Sequence, residues 1–251
     1  MLIFVIVYKG KENVVLLSEL YSDEVCSSRA AREKIMRFHE EFPLAKTTRF
    51  PLDLILSNFE KSKRFFEHKA KKSDQIHARK CTVQFVDECD ALVFFERNHL
   101  FAPIKTFQYL GLYANDILVS VASFSKGRVL NRLPENRLSH ELIQYCTTAG
   151  SHVTGGLSKL IKFYGKVTHA GDVMTYVDAS LSDGTSFENA GFVHHSKSKE
   201  LFFLVDKKTH VRSRGLSKNL INIPDTDYVI KNQGNWKMVF SFIKAENDGK
   251  K

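Results

Sequence analysis

The sequence predicts an α/β fold, a sheet flanked by helices, with a small α+β domain added at the N-terminus. Three observations predict it. Residues 141–191 alternate strand and helix around a glycine turn. Residues 106–125 read as two strands joined by a tight turn. Residues 1–72 hold their own β-rich runs and short helices, ahead of a polar break at 69–80. With 43% hydrophobic residues in 251, the chain can fill a packed core and is too apolar to be disordered.

Taken in order, 2–8 and 14–20 are β-rich runs joined by Lys9, Gly10, Lys11, Glu12 and Asn13, and they read as a hairpin. The apolar start is too short to span a membrane and lacks a basic lead, so it is a strand rather than a signal peptide. Ser27 or Ser28 would cap a helix over 30–42, which Pro43 ends. Residues 51–59 suit a short helix, and 60–72 a basic helix with Phe65 and Phe66 inward. The charged stretch 69–80 reads as a linker. A strand at 81–86 and a helix at 87–99 follow. Strands at 106–113 and 117–125 meet at Ala114, Asn115 and Asp116, a tight-turn sequence. Residues 127–134 form a basic arm.

Next come a strand at 141–147, the glycine turn at 151–158, and a helix that continues through Tyr164. A strand at 173–178, a polar turn at 180–184 and a short helix at 185–192 complete the stretch. The apolar run 200–205 is expected to close the sheet. Residues 207–218 are basic, and 228–243, with Trp236, would dock back on the core. The expected domains are therefore 1–78, 79–206 and a basic C-terminal extension, 207–251.

The net charge of +9 is unevenly placed. Residues 1–88 hold 16 basic and 13 acidic residues, 89–206 hold 11 of each, and 207–251 hold 10 and 4. A neutral core with basic flanks suits a polyanion, as it equally suits an ordinary solvated surface. Lys61, Lys63, Arg64, Lys207, Lys208, Arg212 and Arg214 are the candidate nucleic-acid contacts, which would give affinity but little sequence choice. Four cysteines, Cys26, Cys81, Cys89 and Cys146, are far apart, which predicts a reducing, cytoplasmic setting with mostly buried thiols. No zinc spacing, Walker motif, serine elbow or paired-carboxylate site is present. His194 and His195 are adjacent on a strand and so point to opposite faces, which discounts them as a metal pair.

A strand feeding a glycine-bearing helix start suits an anion, because free N–H groups and the positive helix end point at it. Val153, Thr154, Gly155, Gly156, Leu157, Ser158 and Lys159 occupy that turn, and Phe187, Glu188, Asn189, Ala190, Gly191 and Phe192 the later short helix. On these residues, 81–206 resembles the acyl-CoA-binding GNAT acyltransferase superfamily. More narrowly, Asn98 with His99, Ser123 with Phe124, and Tyr176-x-Asp178 before a Ser/Gly turn are similar to a phage-associated branch related to Mom-type DNA-modification proteins.

The resemblance implies a mixed, mostly antiparallel sheet flanked by helices, an acetyl-CoA-like donor held at 153–159, and transfer to an amine. The branch and the basic flanks imply a nucleobase amine on DNA. Two departures stand out. Ser151 and His152 replace the basic residue that usually opens the turn, and Phe187 replaces a tyrosine that often serves as acid. Asp178 would be a base, or a cap for its own turn. Tyr176 shares its face and would donate a proton to the thiolate, or be a core tyrosine. His99 would be a base or ligand, or a helix-end partner. Ser123 would bond substrate, or be structural. A small-molecule or protein N-acetyltransferase, and a non-catalytic nucleic-acid-binding protein, are the alternative functions.

Overall fold

The computed structural model describes residues 2–8, 11–18, 40, 46–69, 74–213 and 226–243. In chain order the first elements are β1 (Leu2–Tyr8), β2 (Lys11–Ser18), β3 (Lys46–Pro51), α1 (Leu52–Ser57) and α2 (Phe59–Lys69). β4 (Asp74–His77), a 3-10 turn (Ala78–Lys80), β5 (Thr82–Phe85), α3 (Glu88–Asn98), β6 (Gln108–Ala114) and β7 (Ile117–Phe124) follow. Then come β8 (Ser139–Thr147), β9 (Ser151–Thr154), α4 (Gly156–Thr168), β10 (Asp172–Asp178) and α5 (Thr185–Glu188). The last are β11 (Val193–Lys197), β12 (Phe202–Asp206), β13 (Arg212–Ser213), β14 (Asp227–Lys231) and β15 (Asn235–Ser241). Of the predicted helix over 30–42 only residue 40 is described, and Cys26 and Arg214 lie outside the described residues.

The chain folds into two compact units. The first comprises Met1–Ser73, Asp178–Asp183 and Lys197–Asn235. β1 and β2 pair antiparallel as the hairpin expected, and β3 adds in parallel to β2. Phe50 is fully buried, with Phe65 and Phe66 from α2 at 5.0 and 4.7 Å. Ser62 turns its hydroxyl back to the Leu54 carbonyl, tying α2 to α1. β12 forms its own sheet with β13 and β14.

The second unit comprises Asp74–Val177, Gly184–Ser196 and Trp236–Lys251. Its seven-stranded sheet runs β11-β15-β10-β8-β7-β6-β5. β5, β6, β7 and β8 are successively antiparallel, and β8 and β10 are parallel. This is the mixed, mostly antiparallel sheet expected. Asn115 and Asp116 both have positive φ, the mirror-image turn that matches strand twist.

α4 lays Leu157, Leu160, Ile161 and Tyr164 on one face of the sheet, against Leu110, Leu112, Ala122, Phe124, Leu142, Val173 and Val177. Their i, i+3, i+4, i+7 spacing is one helix stripe, and each such burial contributes about 1.5–3 kcal/mol. α3 lays Ala91, Phe94 and Phe95 on Val86, Tyr109 and Val121, whose side chains alternate to the opposite face.

Three sequence expectations are corrected. The run 200–205 does not close the core sheet; β15 does, sitting between β11 and β10. Phe202, Phe203, Leu204 and Val205 have no alternation to fix a face, whereas β15 sends Trp236, Met238 and Phe240 into the core at period two. Residues 74–80 are not a linker: β4 pairs in parallel with β9. The helix over 185–192 stops at Glu188, with Gly191 at φ +101°. Of the described cysteines, Cys81 is buried but Cys89 is exposed.

Candidate active site

The site begins where β8 and β10 part. Their parallel pairing covers Asp172↔Ser139, Val173↔His140 and Met174↔Glu141 and then ends. Just past the last pair, the Thr175 hydroxyl donates to the Leu142 carbonyl at 2.9 Å. The rest of each strand diverges, leaving a wedge that opens toward their C-terminal ends, where open α/β sheets take ligands. β8 also bulges there. Its register against β7 skips Ile143, passing from Phe124↔Leu142 to Ser123↔Gln144.

α4 starts beside the wedge. Gly155, at φ +75°, is its N-cap and supplies no side-chain cap, so the first-turn N–H groups lack that partner. Gly156 is packed so closely that an added Cβ would sit 3.0 Å from the Tyr145 hydroxyl and 3.2 Å from Leu112. Burial pushes the Tyr145 phenol up to about 12, so it stays protonated and a donor. Val153 and Leu157 are core residues. The Thr154 hydroxyl donates to Gln75, and the Ser158 hydroxyl to the Ala190 carbonyl. The Lys159 ammonium donates to the carbonyls of Ala78 and Cys81, tying the helix to the 3-10 turn. Of the predicted turn, therefore, Gly155 lies open at the helix start, Gly156 is packed into the core, and the hydroxyls and Lys159 brace the loop.

An open depression of about 560 Å³ lies against this turn, lined by His77, Ala78, Arg79, Thr154, Gly155, Ser158, Lys159 and Lys162. Beside Lys159 of the turn, Arg79 and Lys162 bring further basic charge to this lining. The sequence carried a signal for Arg79 in the Arg79-Lys80 pair, but the stretch around it reads as a linker until β4 is seen to pair with β9.

On the sheet face away from α4, Tyr176 is 45% exposed although its strand lies mid-sheet. Glu141, Met174 and Tyr176 share that face, opposite Leu142, Val173 and Val177. Glu141 stands at the apex of the wedge, paired with Arg128 at 3.1 Å, and was missed because its chemistry depends on where the pairing stops.

The other predicted catalytic residues are engaged in structural contacts. Asp178 accepts from the Ser180 N–H at 2.8 Å and from Asn232 at 3.2 Å, so it caps its own turn. Ser123 is fully buried, and its hydroxyl accepts the Gln144 N–H at the bulge. His99 packs on Phe95 and Phe101, and its Nδ1 meets the Phe101 N–H and the Gln144 amide. Gln144 also holds Ala102 and Ile104, so these groups fasten the loop after α3. No group of His, Cys, Asp and Glu among the described residues could hold a metal.

Arg212 does not face outward as a phosphate contact. It clamps Asp53 with two hydrogen bonds of 2.5 and 3.1 Å, because an almost fully buried carboxylate requires a cation. Lys61, Lys63, Arg64, Lys207 and Lys208 are at least partly exposed, and all belong to the first unit.

No family model and no curated protein matches the chain. Among solved structures it is similar to a Bacillus subtilis acetyltransferase in complex with CoA, at 13% identity over 65% of this chain and 100% of that one, TM-score 0.38. An acetyltransferase structure from Salmonella typhimurium with acetyl-CoA gives 11% identity, 66% and 96% coverage, and TM-score 0.38. A chimeric spermidine N-acetyltransferase from Vibrio cholerae gives 10% identity, 64% and 96% coverage, and TM-score 0.40.

Proposed function

We propose that the second unit transfers an acyl group from a CoA-type thioester, such as acetyl-CoA, to an amine. One observation carries this: the wedge between β8 and β10 opens beside an uncapped helix start and a depression with basic lining. The wedge suits a narrow extended arm between two strand edges, and the helix start suits its phosphates. The thioester supplies an activated carbonyl and a thiolate leaving group.

The chain's own residues then divide the remaining work. Glu141 takes a proton from the substrate ammonium so that the free amine attacks, and Arg128 holds that carboxylate in place at 3.1 Å. As the C–N bond forms and the C–S bond breaks, the Tyr176 hydroxyl gives its proton to the departing sulfur and takes back the second proton that the nitrogen sheds. Positioning supplies most of the rate, and the acid and base about 10²–10⁴-fold. The test is thiol release from acetyl-CoA with a panel of amines. Glu141→Gln should lower kcat by about 100-fold at neutral pH, and Tyr176→Phe by about tenfold or more. Turnover unchanged in both variants would remove this mechanism.

Within that reading, a nucleobase amine on DNA, as in the Mom-type branch, is the narrower acceptor. Lys61, Lys63 and Arg64 support it as delivery contacts, and a duplex target would be flipped out to react. Arg212 does not support it.

A further inference from the structure

The depression beside α4 is lined by His77, Arg79, Lys159 and Lys162 and by no carboxylate. Lys159 is engaged with backbone carbonyls. Among the described residues, no salt bridge reaches Arg79 or Lys162. Such a concentration of like charge is unfavourable unless an anion joins it. The geometry is also built. β4 and the 3-10 turn precede the first strand of the seven-stranded sheet, and they are held in place by two ties. These are the four-residue pairing with β9, which the Asp74 N–H to Gly150 carbonyl bond begins, and the Lys159 ammonium on Ala78 and Cys81. Ala78 and Cys81, which anchor the turn, are themselves buried in the core cluster. Arg79 is therefore presented from a fixed turn, and Lys162 lines the same depression from α4.

We infer that this added turn makes the chain selective for donors carrying a phosphate monoester at the nucleotide end. Arg79 and Lys162 take the 3′-phosphate of a CoA thioester, while the helix start takes the diphosphate. A phosphate monoester offers two charges and three acceptor oxygens, which suits a planar guanidinium and an ammonium lining one depression. The inference rests on the CoA reading above and goes beyond it, because that reading requires only the wedge and the helix start. Donors that lack the phosphate, such as dephospho-CoA or a pantetheine thioester, would bind through those two features alone.

The experiment is calorimetric titration of the full chain with CoA, dephospho-CoA and pantetheine. Wild type, Arg79→Ala, Arg79→Lys, Lys162→Ala and the control Lys166→Ala are compared, with folding checked by thermal denaturation. Wild type should bind CoA about tenfold tighter than dephospho-CoA, the size of one charge-assisted contact. Arg79→Ala and Lys162→Ala should each remove most of that ratio while leaving dephospho-CoA binding within about twofold, and Lys166→Ala should leave it intact. Equal weakening of both ligands, or a wild type that does not distinguish them, overturns the inference but leaves the CoA reading standing. No binding of any of the three ligands sinks the CoA reading as well. Salt-sensitive binding of duplex DNA that Arg79→Ala abolishes, with CoA binding unaltered, would assign the depression to a polynucleotide instead and overturn the proposal.

Discussion

Asp178 and Glu141 show how position decides what a carboxylate does. Both lie on strands that border the wedge, yet Asp178 spends its oxygens on Ser180 and Asn232, and Glu141 faces the exposed side beside Arg128. Asp178→Ala should therefore lower stability by about 1–3 kcal/mol, read from urea unfolding, because it strands a backbone N–H and a buried amide. Any transfer activity should persist in the fraction that folds. His140 adds a pH effect. It is 5% exposed, and burial lowers its pKa, against smaller opposing effects of the Ser125 carbonyl and Asp172.

The unfolded chain takes up the His140 proton first as pH falls, so this contribution to stability is full above about 6.5 and lost between there and the lowered folded value. His140→Gln should flatten the unfolding midpoint over that range, and an unchanged slope would count against it. Residue types were legible in the sequence; their partners were not. Tyr176 could be placed on a strand face, but its exposure depends on β8 turning away. Arg79 stood in plain view, but nothing local says that residues 74–77 pair with 151–154.

At the scale of elements, α4 was legible because its start and its stripe are local signals. Gly155 and Gly156 mark the start, and four apolar residues at helical spacing mark the buried face. Gly165, mid-helix, has a non-local cause. A Cβ there would lie 2.2 Å from the Phe242 ring, so the glycine admits the chain that follows β15. A mid-helix glycine costs roughly 1 kcal/mol relative to alanine, which ring packing offsets. Gly165→Ala should destabilise by about 1–3 kcal/mol despite the better helix propensity, and thermal unfolding would show it. A stabilised variant would mean that Phe242 moves aside freely. The exchange of β12 for β15 in the core sheet was not legible, since both runs are apolar and of strand length. The choice falls to the strand whose alternate residues fit the core.

At the scale of the molecule, the proposed site and the two basic clusters fall in different units. The wedge, Glu141, Tyr176 and the depression belong to the second unit, whereas the described members of both basic clusters belong to the first. The first unit holds its own buried pair, Arg212 with Asp53, beneath which Phe203 faces the guanidinium at 5.2 Å. Arg212→Ala leaves a buried carboxylate alone and should cost about 3–5 kcal/mol in that unit's unfolding. Lys61→Ala with Lys63→Ala should leave stability unchanged and, if DNA is the acceptor's carrier, reduce the salt slope of duplex binding by about one per lost phosphate contact. Among the described residues no helix is long and apolar enough to cross a membrane.

Calorimetric binding of acetyl-CoA to wild type and to Gly155→Asp tests most directly whether the wedge and the helix start hold a CoA thioester. The Gly155 site has space for a side chain but a left-handed backbone, and the carboxylate would repel the diphosphate. The wild type should bind one-to-one, and the variant should lose about tenfold or more in affinity with folding retained. Absence of binding by the wild type, or equal affinity in both proteins, would contradict the CoA reading.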